Sequence, residues 1–280
     1  MHHEIRPDRV GPYDQTPGEF RAELEQLWHN GYVPVRAEDL LSGHLDVPAG
    51  RSPVVLTFDD STQYQFSYLP NGKIKPTTAI GVLLDFARSH PGFRPAGTFY
   101  VLREPFAGVP EGPAMLRWLV AHGFELGDHT YDHIPLNLLG GTDVQKEMVK
   151  GQDVIESAVP GYRIATMALP LGAISHPASL AVSGSWKGRS YGPFGVMLVG
   201  AEPSPSPFAK RFDPGAIPRI RSSHAGWSGA RDFTASYWLD FLERNPQVRY
   251  VSDGDPSKIT FPRSLLGELN PKFRAAANPR

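Results

Sequence analysis

The segment Val54-Val55-Leu56-Thr57-Phe58-Asp59-Asp60 decides the fold class of this chain. Its first part is apolar or β-branched on both faces, a pattern typical of a strand buried inside a parallel sheet. Two carboxylates follow at once, and their burial is costly unless they bind a cation or share protons. The segment therefore predicts a buried strand with chemistry at its carboxyl end. The alternative is that the two aspartates only cap the following loop.

Outward from this segment, strand and helix patterns alternate along the chain. Apolar residues at helical spacing predict helices near 17–30, 80–90, 115–122, 142–155 and 236–242, and β-branched or apolar runs predict strands at 54–58, 98–102, 124–126 and 248–251. This alternation is typical of βαβ units and a parallel sheet. Residues 183–218 are rich in Gly, Ser and Pro, and we predict an irregular, loop-rich insertion there within a single domain that covers 1–280.

Composition excludes several classes of protein. The 280 residues carry 28 Lys and Arg against 29 Asp and Glu, a balance that argues against a nucleic-acid partner. The chain has no cysteine, which excludes disulfide scaffolds, thiolate metal sites and cysteine nucleophiles. Its apolar runs are far shorter than a membrane span needs. Nothing in the composition specifies an oligomeric state.

A second group of polar residues, His129-Thr130-Tyr131-Asp132-His133, has the spacing of a metal site. Histidines four apart fall on one face of a helical turn, so that both imidazoles can reach one ion. With a carboxylate from the first segment they would leave a coordination position open, as catalytic sites do. Such donors suit one divalent ion, and we expect zinc, with cobalt, nickel or manganese as alternatives. Otherwise the two histidines would simply face solvent.

These two segments resemble known motifs. Thr57-Phe58-Asp59-Asp60 and His129-Thr130-Tyr131-Asp132-His133 are similar to the T-F-D-D and H-S/T-x-x-H motifs of the polysaccharide deacetylases, carbohydrate esterase family 4 or NodB homology domain. His2-His3-Glu4-Ile5 also resembles the Y-H-x-I start of many members. The resemblance implies an α/β fold, a distorted (β/α) barrel with about seven parallel strands, whose active site lies at the carboxyl ends of the strands.

The resemblance also implies roles for individual residues. Asp60, His129 and His133 would hold the metal, and Asp59 would be the general base that takes a proton from the attacking water. The implied function is metal-dependent removal of acetyl groups from an N-acetylated cell-surface or extracellular polysaccharide. Alternatives are an O-acetyl esterase acting on an acetylated xylan-like glycan, and a weakly active glycan-binding member of the fold.

The third and fifth motifs of the family are altered in this chain. Ala168-Leu169-Pro170-Leu171-Gly172 has alanine where many members carry an Arg that pairs with the base, and is closer to the F-A-Y-P-Y-G variant of exopolysaccharide N-deacetylases. Arg163 and Arg219 are both candidates to replace that Arg. His224, in a partial match to L-x-H-D, is the expected general acid, with His176 as a weaker alternative.

Two further expectations concern a loop and the chain's location. The insertion from Gln63 to Lys75 is longer than a plain βα loop, and would either line the substrate cleft or form an aromatic-packed loop. The Y-H-x-I segment normally ends a first strand in the family. We therefore expect the natural protein to continue upstream with a signal or anchor, and to be secreted or held in the cell envelope. A cytoplasmic protein is the alternative.

Overall fold

Helices and strands alternate through most of the chain. The structure is a computed structural model that describes residues 1–200, 202–222 and 234–280. Within these ranges the helices are α1 (Pro17–His29), α2 (Ala37–Ser42), α3 (Ala79–Ser89), α4 (Gly112–Ala121), α5 (Gly141–Ala158), α6 (Ser179–Val182) and α7 (Ala235–Arg244). The strands are β1 (Tyr32–Val35), β2 (Ser52–Val55), β3 (Thr57–Phe58), β4 (Thr98–Val101), β5 (Glu125–Asp128), β6 (Thr166–Ala168), β7 (Gly184–Trp186), β8 (Arg189–Tyr191), β9 (Gly195–Met197), β10 (Ile259–Phe261) and β11 (Ala277–Pro279).

The central sheet is a half-barrel of five parallel strands in the order β3-β4-β5-β6-β9. This confirms the predicted fold class. The sheet has five strands where we expected about seven; β1 and β2 form a separate parallel pair. Leu56 alone separates β2 from β3, so one extended run changes its partner at that residue. The segment from Val54 to Phe58 therefore contributes a strand to each of the two sheets.

Two sequence predictions are wrong in detail. The stretch 183–218 is not wholly irregular, because it contains the β7–β8 hairpin and β9, a strand of the central sheet. Gly188 and Gly192 lie in the turns that follow β7 and β8, whereas Gly184 and Gly195 are the first residues of strands, so composition alone does not separate strand from loop here. Residues 248–251 do not form a strand: Val248 ends a 3₁₀ turn and is 59% exposed. Branched apolar residues make a strand only where a neighbouring strand can pair with them.

The core explains why the strands are apolar on both faces. Phe58, Phe99, Leu126 and Val196 come from four strands of the sheet, and each is completely buried. The rings of Phe58 and Phe99 stack with their centroids 4.6 Å apart. Burying one such side chain stabilises the fold by about 1.5–3 kcal/mol, so the sheet centre is a major source of stability. No helix in the described part of the chain is long and apolar enough to span a bilayer.

Helix α1 begins at the capping box that its sequence encodes. The Thr16 hydroxyl accepts a hydrogen bond from the Glu19 amide at 3.2 Å, and the Glu19 carboxylate accepts one from the Thr16 amide at 2.8 Å. The helix buries Phe20, Leu24 and Leu27 against the sheet. Helix α1 also contacts His2, which pairs with Phe58 of β3.

A buried carboxylate, Glu125, lies at the amino end of β5. One of its oxygens accepts hydrogen bonds from the Glu38 amide at 2.9 Å and the Thr98 hydroxyl at 2.7 Å. The other accepts one from the Thr166 hydroxyl at 2.6 Å. Burial raises the pKa of Glu125 to about 7, and the three hydrogen bonds offset this only in part. Glu125 thus connects α2 to three neighbouring elements of the barrel floor.

The raised pKa of Glu125 predicts a pH-dependent stability. Its ordinary pKa of 4.5 applies in the unfolded chain, so between pH 4.5 and 7 the folded protein retains a proton that the unfolded chain releases. The contribution of Glu125 to the free energy of unfolding is therefore fully present below pH 4.5. It is lost, by about 3 kcal/mol, as the pH rises through 7. We expect the free energy of unfolding, measured by urea denaturation, to fall less between pH 5 and pH 8 in Glu125→Gln than in the parent protein. Exposed Glu111→Gln is the control, and equal losses in all three proteins would contradict this prediction.

Candidate metal and catalytic centre

Two turns at the carboxyl ends of β3 and β5 carry the candidate site. Asp60 and Ser61, directly after β3, have positive φ angles of 76° and 46°. Thr130 and His133, after β5, have φ angles of 68° and 57°. Non-glycine residues in this region cost of order 1 kcal/mol each and persist only where the surroundings hold them. One such restraint is the Ser61 side chain, whose hydroxyl accepts a hydrogen bond from the Leu102 amide at 3.2 Å.

The three proposed ligands meet at one point. An oxygen of Asp60 lies 3.3 Å from Nε2 of His129 and 3.4 Å from Nε2 of His133. One donor atom from each residue lies within 4.8 Å of the others. The expected helical turn is not there: residues 129–133 form an irregular turn, and positive φ angles at its ends bring the two imidazoles together instead. Two imidazole nitrogens and a carboxylate oxygen are a donor set that fits a divalent ion.

The orientation of His129 is set by a residue outside the ligand set. Its Nδ1 donates a hydrogen bond to the Ala168 carbonyl at 2.8 Å, which leaves Nε2 free to face Asp60. Burial alone would lower the pKa of His129, but the carboxylates of Asp60 and Asp59 outweigh it and raise that pKa. The negative charge that favours a proton on the imidazole equally favours a bound cation.

Asp59 is paired with Arg219. The two guanidinium nitrogens Nη1 and Nη2 donate to the two carboxylate oxygens at 2.7 and 2.8 Å, and both side chains are almost fully buried. Burial would raise the pKa of Asp59, but the guanidinium holds it well below its usual range. Nε of Arg219 donates to the Leu198 carbonyl at 2.7 Å, which orients the guanidinium. Of the two candidate arginines, Arg219 makes this pair, whereas Arg163 is exposed.

Sequence reasoning missed Gln65, which lies beneath the site. Its side-chain nitrogen donates to the Asp59 carbonyl and, at 2.7 Å, to the His3 carbonyl. Gln65 belongs to the insertion from Gln63 to Lys75, where Phe66 is completely buried among Tyr68 and other rings of the core. The insertion is thus an aromatic-packed loop, and through Gln65 it also connects the turn after β3 to the start of the chain.

Sequence reasoning also did not single out His3, whose pKa responds to the charges of the candidate site. The charges of Asp59, Asp60 and His129 act on it, and burial lowers its pKa. Its Nδ1 is buried and finds no hydrogen-bond partner among the described residues. The ring packs on Tyr13 with centroids 4.8 Å apart. The Y-H-x-I pattern could have pointed to His3, which is its histidine. The pattern by itself, however, indicates no chemical role for that residue.

The remaining candidates fall outside the site. His224, the expected general acid, lies outside the described residues, in 223–233. His176 is exposed.

Comparison with known proteins agrees with this geometry. Residues 46–184 match the sequence profile of the family described as Polysaccharide deacetylase, a range that includes Asp59, Asp60, His129 and His133. The chain belongs to this family. Arg219 and His3 lie outside the matched range.

Curated relatives support the assignment to this family. A chitin deacetylase of Arthroderma benhamiae is 30% identical over 127 residues, which cover 45% of this chain and 29% of the relative. A chitooligosaccharide deacetylase of Sinorhizobium fredii is 29% identical over 123 residues, covering 44% of this chain and 48% of the relative. The matched region thus spans less than half the length of either protein.

Two solved structures share the fold at low sequence identity. The Streptococcus pyogenes deacetylase PplD in complex with acetate has a TM-score of 0.59 at 16% identity, over 86% of this chain and 95% of that one. IcaB from Ammonifex degensii has a TM-score of 0.58 at 19% identity, over 86% of this chain and 94% of that one.

In this member of the family the altered third motif contributes through its backbone. Ala168 cannot pair with Asp59, yet its carbonyl accepts the hydrogen bond that orients His129. Leu171, at φ 53°, is 72% exposed at the carboxyl end of β6. The pairing function of the missing arginine has moved to Arg219, which enters from a later part of the chain.

Proposed function

We propose that this protein is a metal-dependent hydrolase that removes acetyl groups from an N-acetylated polysaccharide. The observation that carries the proposal is the cluster of Asp60, His129 and His133 directly beside the Asp59–Arg219 pair. Metal ligands next to a buried, ionised carboxylate are what hydrolysis of an unreactive amide requires. The names of the curated relatives, deacetylases of chitin and of chitooligosaccharide, support the substrate class.

Asp60, His129 and His133 would hold one divalent ion, and we propose zinc, with cobalt, nickel or manganese as alternatives. When bound, the ion polarises the acetyl carbonyl and lowers the pKa of a water molecule. The Ala168 carbonyl keeps the His129 ring turned toward the ion. The ligand assignment thus depends on β5 and β6 being adjacent in the sheet.

The protein's own groups would move the protons. Asp59, held as an anion by Arg219, accepts a proton from the attacking water, whose oxygen forms a bond to the acetyl carbon. The C–N bond then breaks, and we assign to His3 the donation of a proton to the leaving nitrogen. Acetic acid and the free amine leave, the acid ionises to acetate in solution, and the proton on Asp59 returns through solvent to His3. An amine is a poor leaving group, so that donation contributes roughly 10²–10⁴-fold.

This assignment gives His3 the role that the sequence suggested for His224. His3 follows His2, whose carbonyl accepts a hydrogen bond from the Asp59 amide at 2.9 Å, and burial lowers the pKa of the His3 imidazole, which makes its imidazolium a stronger acid. A polysaccharide substrate of this kind would place the protein in the cell envelope or outside the cell.

Acetate release from defined glycans tests the proposed function. The protein should release acetate from N-acetylglucosamine oligomers or N-acetylated peptidoglycan, lose that activity with chelator and regain it with zinc. Asp59→Asn should retain metal and lose roughly 10²–10⁴-fold in rate, because the base is gone. Asp143→Asn, an exposed aspartate on α5, is the matched control and should retain activity.

The substrate panel also separates the alternatives. Release from acetylated xylan alone would favour an O-acetyl esterase over an N-deacetylase. A metal-loaded protein that binds glycans without releasing acetate from any of them would favour a binding protein and contradict the proposal.

A further inference from the structure

We propose that a buried ion pair between His2 and Glu23 positions His3 for proton donation, which makes Glu23 a positioning residue for the reaction. This inference rests on the proposed function and deepens it. Neither His2 nor Glu23 belongs to the metal cluster or to the Asp59–Arg219 pair. Both residues have titratable side chains to which the mechanism above gives no role.

Both ring nitrogens of His2 face hydrogen-bond acceptors. Nδ1 lies 3.3 Å from the Thr57 carbonyl, and Nε2 lies 3.1 Å from a carboxylate oxygen of Glu23. A carbonyl and an ionised carboxylate can only accept, so a ring nitrogen of His2 that bonds to either one is a donor. The side chain is 2% exposed, packed flat on Phe58 and edge-on to Phe20, each with a centroid distance of 5.0 Å.

Glu23 connects this ring to two other parts of the chain. Its second oxygen accepts hydrogen bonds from the Gln15 side chain, at 2.7 Å, and from the Ser222 hydroxyl. Burial would raise the pKa of Glu23, but the charge and hydrogen bond of His2 lower it to about 2. Breaking a buried pair by removing one charge is costly, so the pair holds the start of the chain firmly on α1.

The consequence for His3 follows from backbone geometry. The His2 amide donates to the Thr57 carbonyl at 2.7 Å, and the Asp59 amide donates to the His2 carbonyl at 2.9 Å. In such an extended segment, successive side chains point to opposite sides. With the His2 ring held against α1, the next side chain is directed toward the site, where the charges of Asp59 and Asp60 act on it.

Few other contacts orient His3. Its ring packs on Tyr13, and its carbonyl accepts the hydrogen bond from Gln65. Neither contact supplies a hydrogen bond to the imidazole. The direction of the ring therefore depends on the register of residues 1–3 along β3. Main-chain hydrogen bonds to Thr57 and Asp59 fix that register, and the contact between His2 and Glu23 holds the His2 side chain on α1 in it.

A pair of substrates with different leaving groups tests this inference. N-acetylglucosamine oligomers release an amine that needs a proton, whereas p-nitrophenyl acetate releases a phenolate that does not. Glu23→Gln should lower kcat on the oligomer about 10- to 100-fold with little change in KM, because small misplacements of a reacting group cost this much. It should change p-nitrophenyl acetate hydrolysis less than about twofold, and His3→Gln should show the same selectivity.

Matched variants distinguish a change in the position of His3 from a general loss of structure. Glu25 lies on the same helix, but its carboxylate contacts the His90 ring. Glu25→Gln should therefore leave both activities unchanged. Glu23→Asp keeps the charge and should restore part of the lost amide activity. If Glu23→Gln fails to fold, Ser222→Ala removes one donor to the carboxylate while keeping the ion pair, and should show a smaller loss with the same selectivity.

The outcomes distinguish the two proposals. An equal loss on both substrates, or no loss on either, in Glu23→Gln (or in Ser222→Ala, where that variant is needed) would overturn the positioning role and leave the proposed function standing. A wild-type protein that releases no acetate from any N-acetylated glycan would overturn the proposed function and this inference with it.

Discussion

Replacing His129 by alanine is expected to remove the bound metal and to lower acetate release roughly a thousand-fold or more. The reason is geometric: His129 supplies one of only three donor atoms in the cluster, and its Nε2 faces Asp60 at 3.3 Å. Stabilisation of a developing charge by a metal is worth several kcal/mol, which corresponds to this factor in rate. Metal content by elemental analysis and acetate release, measured on the same preparation, check the prediction.

Two controls keep this result interpretable. His176→Ala changes an exposed histidine, and should retain both metal and activity. Circular dichroism must show that His129→Ala is folded, since the hydrogen bond to the Ala168 carbonyl is also lost. Full metal occupancy in folded His129→Ala protein would contradict the ligand assignment. Asp60→Ala should behave like His129→Ala, whereas Asp59→Asn should keep its metal.

Removal of the Arg219 charge is expected to cause the largest loss of stability. Arg219→Met leaves the Asp59 carboxylate buried without its partner, and breaking a buried pair in this way costs about 3–5 kcal/mol. The free energy of unfolding, from urea denaturation, should fall by that amount. Arg163→Met, at the exposed arginine, should change it by less than about 0.5 kcal/mol.

A double variant tests the cause of that loss. Asp59→Asn combined with Arg219→Met removes both charges, and should be more stable than Arg219→Met alone, because no unpaired charge remains buried. It should still be inactive, since it lacks the base. An Arg219→Met protein as stable as wild type would show that the pair does not hold the carboxylate as the structure indicates.

Local signals in the sequence predicted much of the fold. The capping box at Thr16 and Glu19 locates the start of α1, and the apolar run ending at Phe58 locates a buried strand, because both depend on residues that are neighbours in the chain. The strand β9 was missed for the opposite reason. Its few residues lie in a stretch rich in Gly, Ser and Pro, and only pairing with β6 makes them a strand.

The candidate site likewise contains residues that local sequence predicted and residues that only tertiary contacts show. The order and spacing of Asp59, Asp60, His129 and His133 indicated a metal centre from the sequence alone, since the carboxyl ends of parallel strands meet at one edge of a sheet. Arg219 could be named only as one of two candidates, because 160 residues separate it from Asp59. Only the packing of the folded chain shows which arginine reaches the carboxylate.

The fold class and the donor types of the proposed metal site could therefore be predicted from the sequence, because these follow from periodicity and from residue chemistry within short segments. Only the folded structure shows which cation pairs with Asp59, and that Gln65 connects the Asp59 carbonyl to the His3 carbonyl. These contacts join segments far apart in the chain, and burial gives them their strength.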